Sequence, residues 1–424
     1  MTDLLVFIEG RLAGEIAAGA GNAAEFCYEN DYLEDPSRTP LSVCAPLGHG
    51  RYQIGRWLDN LLPDNVAVRR RWAARNSAPT ARPADLLGTP IGLDCAGAVQ
   101  FCRPGDEAAL LSRAGGLEPC SDHDVAEWIR RARKDWSAWE GPGSRGQFSL
   151  AGAQAKCALH WDGAGWHVPY GNVPTTHILK PGVEQHTDAE VVEHVCMAAA
   201  RRLGIETAAT ELLHFESERV VSVTRFDRVN DGGALRRRHN EDACQALDLD
   251  PEQKYQVLGG PTPEQMATLL RQESTDAPQD VWRFCDALIY SWAIAAPDAH
   301  AKNYSLVLDR TDVQMSPLYD VISYLPYTRG GALGLRTAMA FGDDHALGAT
   351  AELIARGTAA QALGLHPAAV SQRAAELVSA APSAISDAID GLSPEDRQSR
   401  ALLPLLRSAE ALSQQLLSAL ARTQ

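Results

Sequence analysis

A mostly apolar run from Val281 to Ala296 ends at Pro297-Asp298-Ala299-His300-Ala301-Lys302-Asn303. Arg283 and Asp286 interrupt the run, and it is too short to cross a bilayer, so it reads as a buried core helix. The polar segment after it is thereby placed in a loop at the end of a packed helix. Asn303 follows Asp298 by five residues, and a second acid, Asp320, closes Pro317-Leu318-Tyr319-Asp320 after a short strand-like run. Kinase-type phosphotransferases arrange their chemistry in this order. The first Asp orients a hydroxyl nucleophile and takes its proton, and the Asn and the later Asp offer hard oxygen ligands to Mg²⁺ on ATP phosphates. Such spacing also arises by chance, so the rest of the chain decides. Asp320 adds weight, because a carboxylate among apolar residues is costly unless it is paired or metal-bound.

The 424 residues can bury one large or two medium cores, and 45% hydrophobic with 22% charged residues is ordinary for a globular chain. No fixed-period repeat or low-complexity tract is present. Met1 to Ala20 carries Asp3 and Glu9 without a basic start and is not read as a signal peptide. The nine cysteines (Cys27, Cys44, Cys95, Cys102, Cys120, Cys157, Cys196, Cys244, Cys285) are scattered without a C-x-x-C pair. They read as reduced packing residues of a cytoplasmic protein. A net charge of −15 argues against nucleic-acid binding by bulk electrostatics. The local basic clusters Arg69–Arg71 and Arg236–Arg238 read as solvated surface.

Along the chain, Leu4–Ile8 is β-prone, and Glu9-Gly10 can turn it back into Arg11–Ile16. A helix ends near Pro63, a basic helical stretch runs to Arg75, and residues 76–84 form a polar connector. Asp94 to Phe101 turns into a strand, and Gly141–Gly146 is a flexible lead-in. His177–Lys180 and Val220–Phe226 read as strands, and Ala189–Leu203 as a helix stopped by Gly204. Beyond about residue 240 the pattern is mostly helical, with three Ala/Leu-rich stretches near 366–378, 381–391 and 401–421. A β-containing first half and a helical second half suit the two lobes of a kinase.

Ser149-Leu150-Ala151-Gly152-Ala153-Gln154-Ala155-Lys156 is a run of small residues ending in Lys. Small side chains let backbone N–H groups approach phosphate, and a Lys can neutralise charge there. The Walker pattern is absent, and taken by itself such a run is more often a small-residue turn packed under a sheet. Lys180 ends a strand-like run, where a kinase holds its phosphate-binding Lys against a helix Glu, and Glu193 is the partner chosen over Glu190. His300 and Lys302 could touch phosphate, although a loop His is more often a structural hydrogen-bonding group.

These residues together resemble the HipA family, Ser/Thr kinases that act as toxins of bacterial type II toxin–antitoxin modules. SLAGAQAK (Ser149–Lys156) is similar to the family's phosphate loop, and THILKP (Thr176–Pro181) to its nucleotide-lysine strand. Thr224-Arg225-Phe226-Asp227 is similar to the hinge, and Glu241-Asp242-Ala243-Cys244-Gln245 with Lys254-Tyr255 to an E-D-x-x-Q…K-Y signature. DAHAKN (Asp298–Asn303) and LYDVIS (Leu318–Ser323) look like the family's catalytic loop and Mg-Asp strand. DNLLPD (Asp59–Asp64) and GLDCAGAVQ (Gly92–Gln100) resemble the N-terminal subdomain.

The resemblance implies an α+β, two-lobed kinase-like fold: a β-rich N-terminal subdomain over 1–104, the rest of the N-lobe over 105–228 and a helical C-lobe over 229–424. It implies Asp298 as catalytic base and Asn303 and Asp320 as Mg²⁺ ligands. ATP would be contacted by Ala151, Gly152, Ala153, Gln154, Ala155, Lys156, Lys180, Thr224, Arg225, Phe226, His300, Ala301, Lys302, Asn303, Tyr319 and Asp320. Ser149 corresponds to a Ser whose autophosphorylation expels the loop and silences the kinase. The implied partners are a helix-turn-helix HipB-type antitoxin, DNA only through it, and a cytoplasmic protein substrate of the aminoacyl-tRNA synthetase class, whose phosphorylation drives growth arrest and persistence. Thr224 stands where the family often has an acid, Cys157 replaces a frequent Thr, Ala299 replaces the loop Gly, and Pro297 stiffens the turn. None of these removes a catalytic group. A small-molecule phosphotransferase and a non-catalytic partner of a DNA-bound repressor are the competing readings.

Overall fold

Glu9 and Gly10 both take positive φ (53° and 76°) and turn β1 (Thr2–Ile8) back into β2 (Arg11–Ala18), the geometry a two-residue hairpin needs. In the computed structural model, which describes residues 2–112, 114–135, 142, 148–152, 154–183, 185–328 and 331–421, this hairpin seeds a five-stranded sheet. β3 (Ala24–Tyr28), β4 (Arg51–Gln53) and β5 (Val99–Cys102) complete it in the order β4–β3–β2–β1–β5. Phe26, Trp57 and Phe101 are buried in its core. The helix Val66–Arg75 is capped by Asn65, whose side chain accepts from Ala67 N. The polar connector stops at Arg82, because Pro83 starts a short helix, Pro83–Leu87, at the position where a missing N–H costs nothing.

A second sheet contains β6 (Gly115–Pro119), β7 (Cys157–Trp161), β8 (Trp166–Gly171), β9 (His177–Pro181), β10 (Thr210–Phe215) and β11 (Glu218–Thr224). Its order is β10–β11–β9–β7–β8–β6. β9 lies antiparallel between β7 and β11, so Lys180, opposite Val221, sits on an interior strand. β12 (Arg228–Asp231) and β13 (Ala234–Arg237) form a hairpin, and β14 (His239–Asp242) pairs antiparallel with β15 (Ser305–Asp309).

Contacts divide the chain into two units that are interleaved in sequence. The first is Met1–Pro181 with Leu213–Glu252 and Ser305–Val313, and the second is Gly182–Leu212 with Gln253–Tyr304 and Gln314–Gln424. Contiguous blocks ending at 104 and 228 do not coincide with these units. The reason is the pairing of β14 with β15, together with Glu241 of β14, which accepts hydrogen bonds from Trp57 Nε1 (2.9 Å) and Val43 N (2.8 Å).

The second unit is mainly helical. Its helices Ala189–Arg202, Pro263–Glu273, Ala277–Ala293, Leu347–Ala355, Pro367–Asp390 and Leu402–Ala421 carry buried apolar faces. The two charges that interrupt the apolar run are both tied down. Arg283 donates to Met315 O (2.7 Å), and Asp286 receives both arms of Arg373 at 2.8 Å. The stretches at 366–378 and 381–391 are one helix here, running through Pro382. A proline orphans the carbonyl four residues earlier, and that carbonyl, Val378 O, accepts the Ser413 hydroxyl at 2.8 Å from the neighbouring helix. Among the described residues, no helix is long and apolar enough to cross a membrane.

The basic clusters keep the solvated reading at Arg70 and Arg71, which are exposed, and depart from it elsewhere. Arg69 is paired with the buried Asp59, Arg236 bridges Glu9 and Asp309, and Arg237 is buried beside Asp94. Arg236 and Arg237 found carboxylates distant in sequence, which local composition does not reveal.

Candidate active site

The helix Ala277–Ala293 ends where Ala295 takes φ +51°, and the chain turns into Pro297-Asp298. Three bonds fix this exit. Ser323 Oγ donates to Ile294 O (2.6 Å), Tyr324 N to Ala295 O (2.9 Å) and Ala338 N to Pro297 O (2.8 Å). The Asp298 carbonyl then accepts from His300 N (2.8 Å) and from Asn303 Nδ2 (2.9 Å). Asn303 Nδ2 is also 3.5 Å from Asp320 O, so one amide group ties the backbones of Asp298 and Asp320 together. Leu318 is pinned to 206–208 by its N–H to Glu206 O and by its own carbonyl to Ala208 N, both 2.9 Å. Asp320 takes φ +59°, an uncommon conformation for a residue with a side chain, and such strain gathers at functional positions.

Asp298, Asn303, Tyr319 and Asp320 line one small cavity of the second unit. Lys302 and Ala301 are buried, and Tyr319 donates its hydroxyl to Lys302 O (2.8 Å). His300 is buried, and its Nδ1 has no hydrogen-bond partner among the described residues. Burial holds its imidazole below the usual range, against the pull of Asp298, which keeps it neutral. Sequence reasoning assigned no role to Tyr255, yet its hydroxyl donates to Asp298 Oδ1 at 2.7 Å. The only signal was its place in the K-Y pair. Glu190 and Glu193 are both buried on the helix Ala189–Arg202.

The remaining site candidates lie in the first unit. Ser149 is fully buried. Its N–H donates to Asp94 O (2.8 Å) and its hydroxyl to Leu61 O (2.7 Å). Gly152 bridges to Pro63, and its carbonyl accepts Asp64 N (3.1 Å), so DNLLPD and GLDCAGAVQ both hold this loop. Lys156 Nζ folds back onto Ala151 O (2.7 Å), Ala155 is buried, and Gln154 Nε2 donates to Pro181 O (3.0 Å). Ala153 lies outside the described residues, as does the Gly141–Gly146 lead-in apart from Pro142.

Thr224 is exposed at the end of β11, and Phe226 is half-buried. Between them the Arg225 guanidinium turns inward. It donates to Asp227 Oδ1 and Oδ2 (2.9 and 2.7 Å), Thr175 Oγ1 (2.9 Å) and Cys95 O (2.8 Å). With all its donors engaged, this side chain serves the core; its N–H donates to Thr176 O (2.9 Å), and its carbonyl accepts Arg228 N (3.3 Å) with one lone pair left over. The E-D-x-x-Q signature is likewise architectural. Asp242 and Gln245 form a reciprocal capping box, and Gln245 Nε2 donates to Trp57 O (3.2 Å).

The second unit thus holds a carboxylate fixed by a tyrosine hydroxyl and, one amide bond away, two further hard oxygen donors. Asn303 spends its amide nitrogen on backbone carbonyls, leaving Oδ1 as an oxygen donor in the cavity that Asp320 also lines. That donor set fits Mg²⁺, which takes one or two protein oxygens and the rest from phosphates and water.

The HipA N-terminal domain model matches residues 4–102, and the HipA-like C-terminal domain model matches residues 148–385. The serine/threonine-protein kinase toxin HipA of Shewanella oneidensis is 30% identical over 315 residues, covering 70% of this chain and 69% of that protein. Y4mE of Sinorhizobium fredii is 31% identical over 401 residues, 92% of each. A chain in the Shewanella oneidensis complex of HipA, HipB and operator DNA superposes with a TM-score of 0.80 at 25% identity, covering 99% of this chain and 97% of that one. Fold and relatives define a kinase-like enzyme, with the expected β-rich N-terminal and helical C-terminal parts. Within that class, the chain belongs to the HipA family.

Proposed function

We propose that this chain is a Mg-ATP-dependent serine/threonine protein kinase and the toxin of a type II toxin–antitoxin module. The observation that carries the reading is the Asn303 amide joining Asp298 to Asp320, which gathers a base and two oxygen donors in one cavity. Asp298 takes the proton of a serine or threonine hydroxyl as that oxygen forms its bond to the γ-phosphorus and the bond to the β-phosphate oxygen breaks. Asn303 Oδ1 and the Asp320 carboxylate would hold Mg²⁺, which neutralises phosphate charge when bound. The backbone of 151–155 and the Lys156 and Lys180 ammonium groups would contact phosphate, with Thr224, the Arg225 backbone, Phe226 and the residues His300–Lys302 and Tyr319 completing the nucleotide contacts.

The relative seen with HipB and operator DNA supports a HipB-type helix-turn-helix antitoxin as partner, with DNA reached only through it. An acidic chain of net charge −15 suits that division of labour. The substrate would be a cytoplasmic protein of the aminoacyl-tRNA synthetase class, and phosphorylation of Ser149 would silence the enzyme. The deciding experiment incubates the purified chain with Mg-ATP and maps phosphate by peptide mass spectrometry, with Asp298→Ala beside it. Phosphate on Ser149 in the wild type, with at most a slow residual in Asp298→Ala, is the expected result. Equal incorporation in Asp298→Ala would overturn the assignment of the base.

A further inference from the structure

We propose that Tyr255 is a positioning residue for the reaction, holding the Asp298 carboxylate so that one oxygen is left for the acceptor hydroxyl. The inference rests on the kinase reading above. A carboxylate on a short side chain can rotate, and a base that rotates spends part of its time aimed away from the proton it must take. The main chain of Asp298 is fixed by Asn303 and His300, but those bonds end at its carbonyl and leave the side chain free to turn. The Tyr255 hydroxyl, donating at 2.7 Å to Oδ1, supplies the missing restraint and leaves Oδ2 as the proton acceptor.

Tyr255 is itself held in place. Its ring meets His300 edge-on with centroids 5.1 Å apart, and the Lys254 ammonium lies 5.4 Å from its ring centre. Its carbonyl accepts Leu258 N (2.9 Å) and Gly260 N (3.0 Å), closing a tight turn after it. The next residue, Gln256, donates its N–H to Ala338 O (3.1 Å) and accepts Ala340 N on its side chain (2.8 Å), while Ala338 N reaches Pro297 O (2.8 Å). The turn bearing Tyr255 and the loop bearing Asp298 are therefore fastened to one common strand of chain. Tyr255 and Asp298 thus share one support, although 43 residues separate them.

The test is Tyr255→Phe, which keeps the ring and removes the hydroxyl, read by the initial rate of phosphate incorporation into the purified chain with Mg-ATP. The rate at saturating Mg-ATP should fall about tenfold, as for loss of one hydrogen bond to a charged group, while the half-saturating ATP concentration stays unchanged. Thermal melting should match the wild type. In an Asp298→Ala background, where long incubation reads the residual rate, Tyr255→Phe should slow the reaction no further. An undiminished rate in Tyr255→Phe overturns the proposal alone. So does an equal loss in the Asp298→Ala background, a rise in half-saturating ATP, or a variant that melts well below the wild type. A wild-type chain that transfers no phosphate overturns the kinase reading and this assignment with it.

Discussion

Arg228 Nη2 lies 2.9 Å from Asp94 Oδ1, both side chains shut away from solvent and 134 residues apart in sequence. Arg225, Arg237 and the Thr175 hydroxyl converge on the same carboxylate, and Asp227 balances the other faces of Arg225 and Arg228. Burial by itself would raise the Asp94 carboxyl, but Arg228, then Arg225 and Arg237, overcome it and hold the group below its usual range. Burial pushes Arg237 down to about 10. Asp94→Ala strands these guanidinium groups in a dry interior and should cost about 3–5 kcal/mol, measured by urea denaturation. The double change Asp94→Leu with Arg228→Met should cost less than Asp94→Ala alone, because it removes charge from both sides.

Gly152 takes φ +110°, and a Cβ there would lie 2.7 Å from Lys156 Nζ. The Lys156 side chain can swing away, so Gly152→Ala should keep the fold at a cost of about 1–3 kcal/mol of backbone strain. The displaced ammonium no longer lies over the loop. Calorimetric titration with a non-hydrolysable Mg-ATP analogue should then show about tenfold weaker binding. Unchanged affinity would separate Lys156 from the nucleotide.

Ser149 offers a third test. Its buried hydroxyl faces the Leu61 carbonyl. Ser149→Ala loses that single hydrogen bond and should cost about 1 kcal/mol. Ser149→Asp instead sets a buried negative charge against a carbonyl oxygen, which the site cannot solvate. The loop should leave its place, and limited proteolysis should cut within 148–156 in the Asp variant but not in the Ala variant. Equal resistance in both would show that the hydroxyl contact does not decide the loop's position.

Acid should weaken the fold through His239. Burial lowers its imidazole to about 4, its Nε2 faces Leu41 O at 2.8 Å, and its Nδ1 faces Ala98 N at 3.3 Å. The second contact requires an unprotonated nitrogen, so the folded state keeps this His neutral. A base whose folded value lies below its unfolded 6.5 contributes stability that is present above pH 6.5 and lost as pH falls towards about 4. Over that window the loss is about 3 kcal/mol. The melting temperature of the wild type should therefore drop more between pH 7 and pH 4.5 (roughly the span of the linkage) than that of His239→Gln. Parallel curves would assign the acid sensitivity to other groups.

Much of the local structure was legible in the chain. Glu9-Gly10 announced the first hairpin, the run His177–Lys180 a short strand, and Gly204 (φ +79°) the end of the helix Ala189–Arg202. The candidate site was legible too, because Asp298, Asn303 and Asp320 stand at separations that a helix end and a short strand can close. Contacts between distant segments were not. Nothing near Arg236–Arg238 told that Arg237 is buried against Asp94. The stretch at 378–382 promised a helix break that Ser413 repairs from another helix. Arg225, expected at a nucleotide, spends its side chain on Asp227, Thr175 and Cys95.

The sequence by itself determined the elements, the order of the motifs and the membership of the HipA family, since backbone preference, apolar period and motif spacing are properties of neighbours. Tertiary structure alone decided which polar groups meet. It set Tyr255 on Asp298, Trp57 on Glu241 and Leu61 on Ser149, each across dozens of residues or more. The reason is desolvation: a buried donor or acceptor must find a partner wherever the fold brings one near, and no local pattern encodes which one that will be.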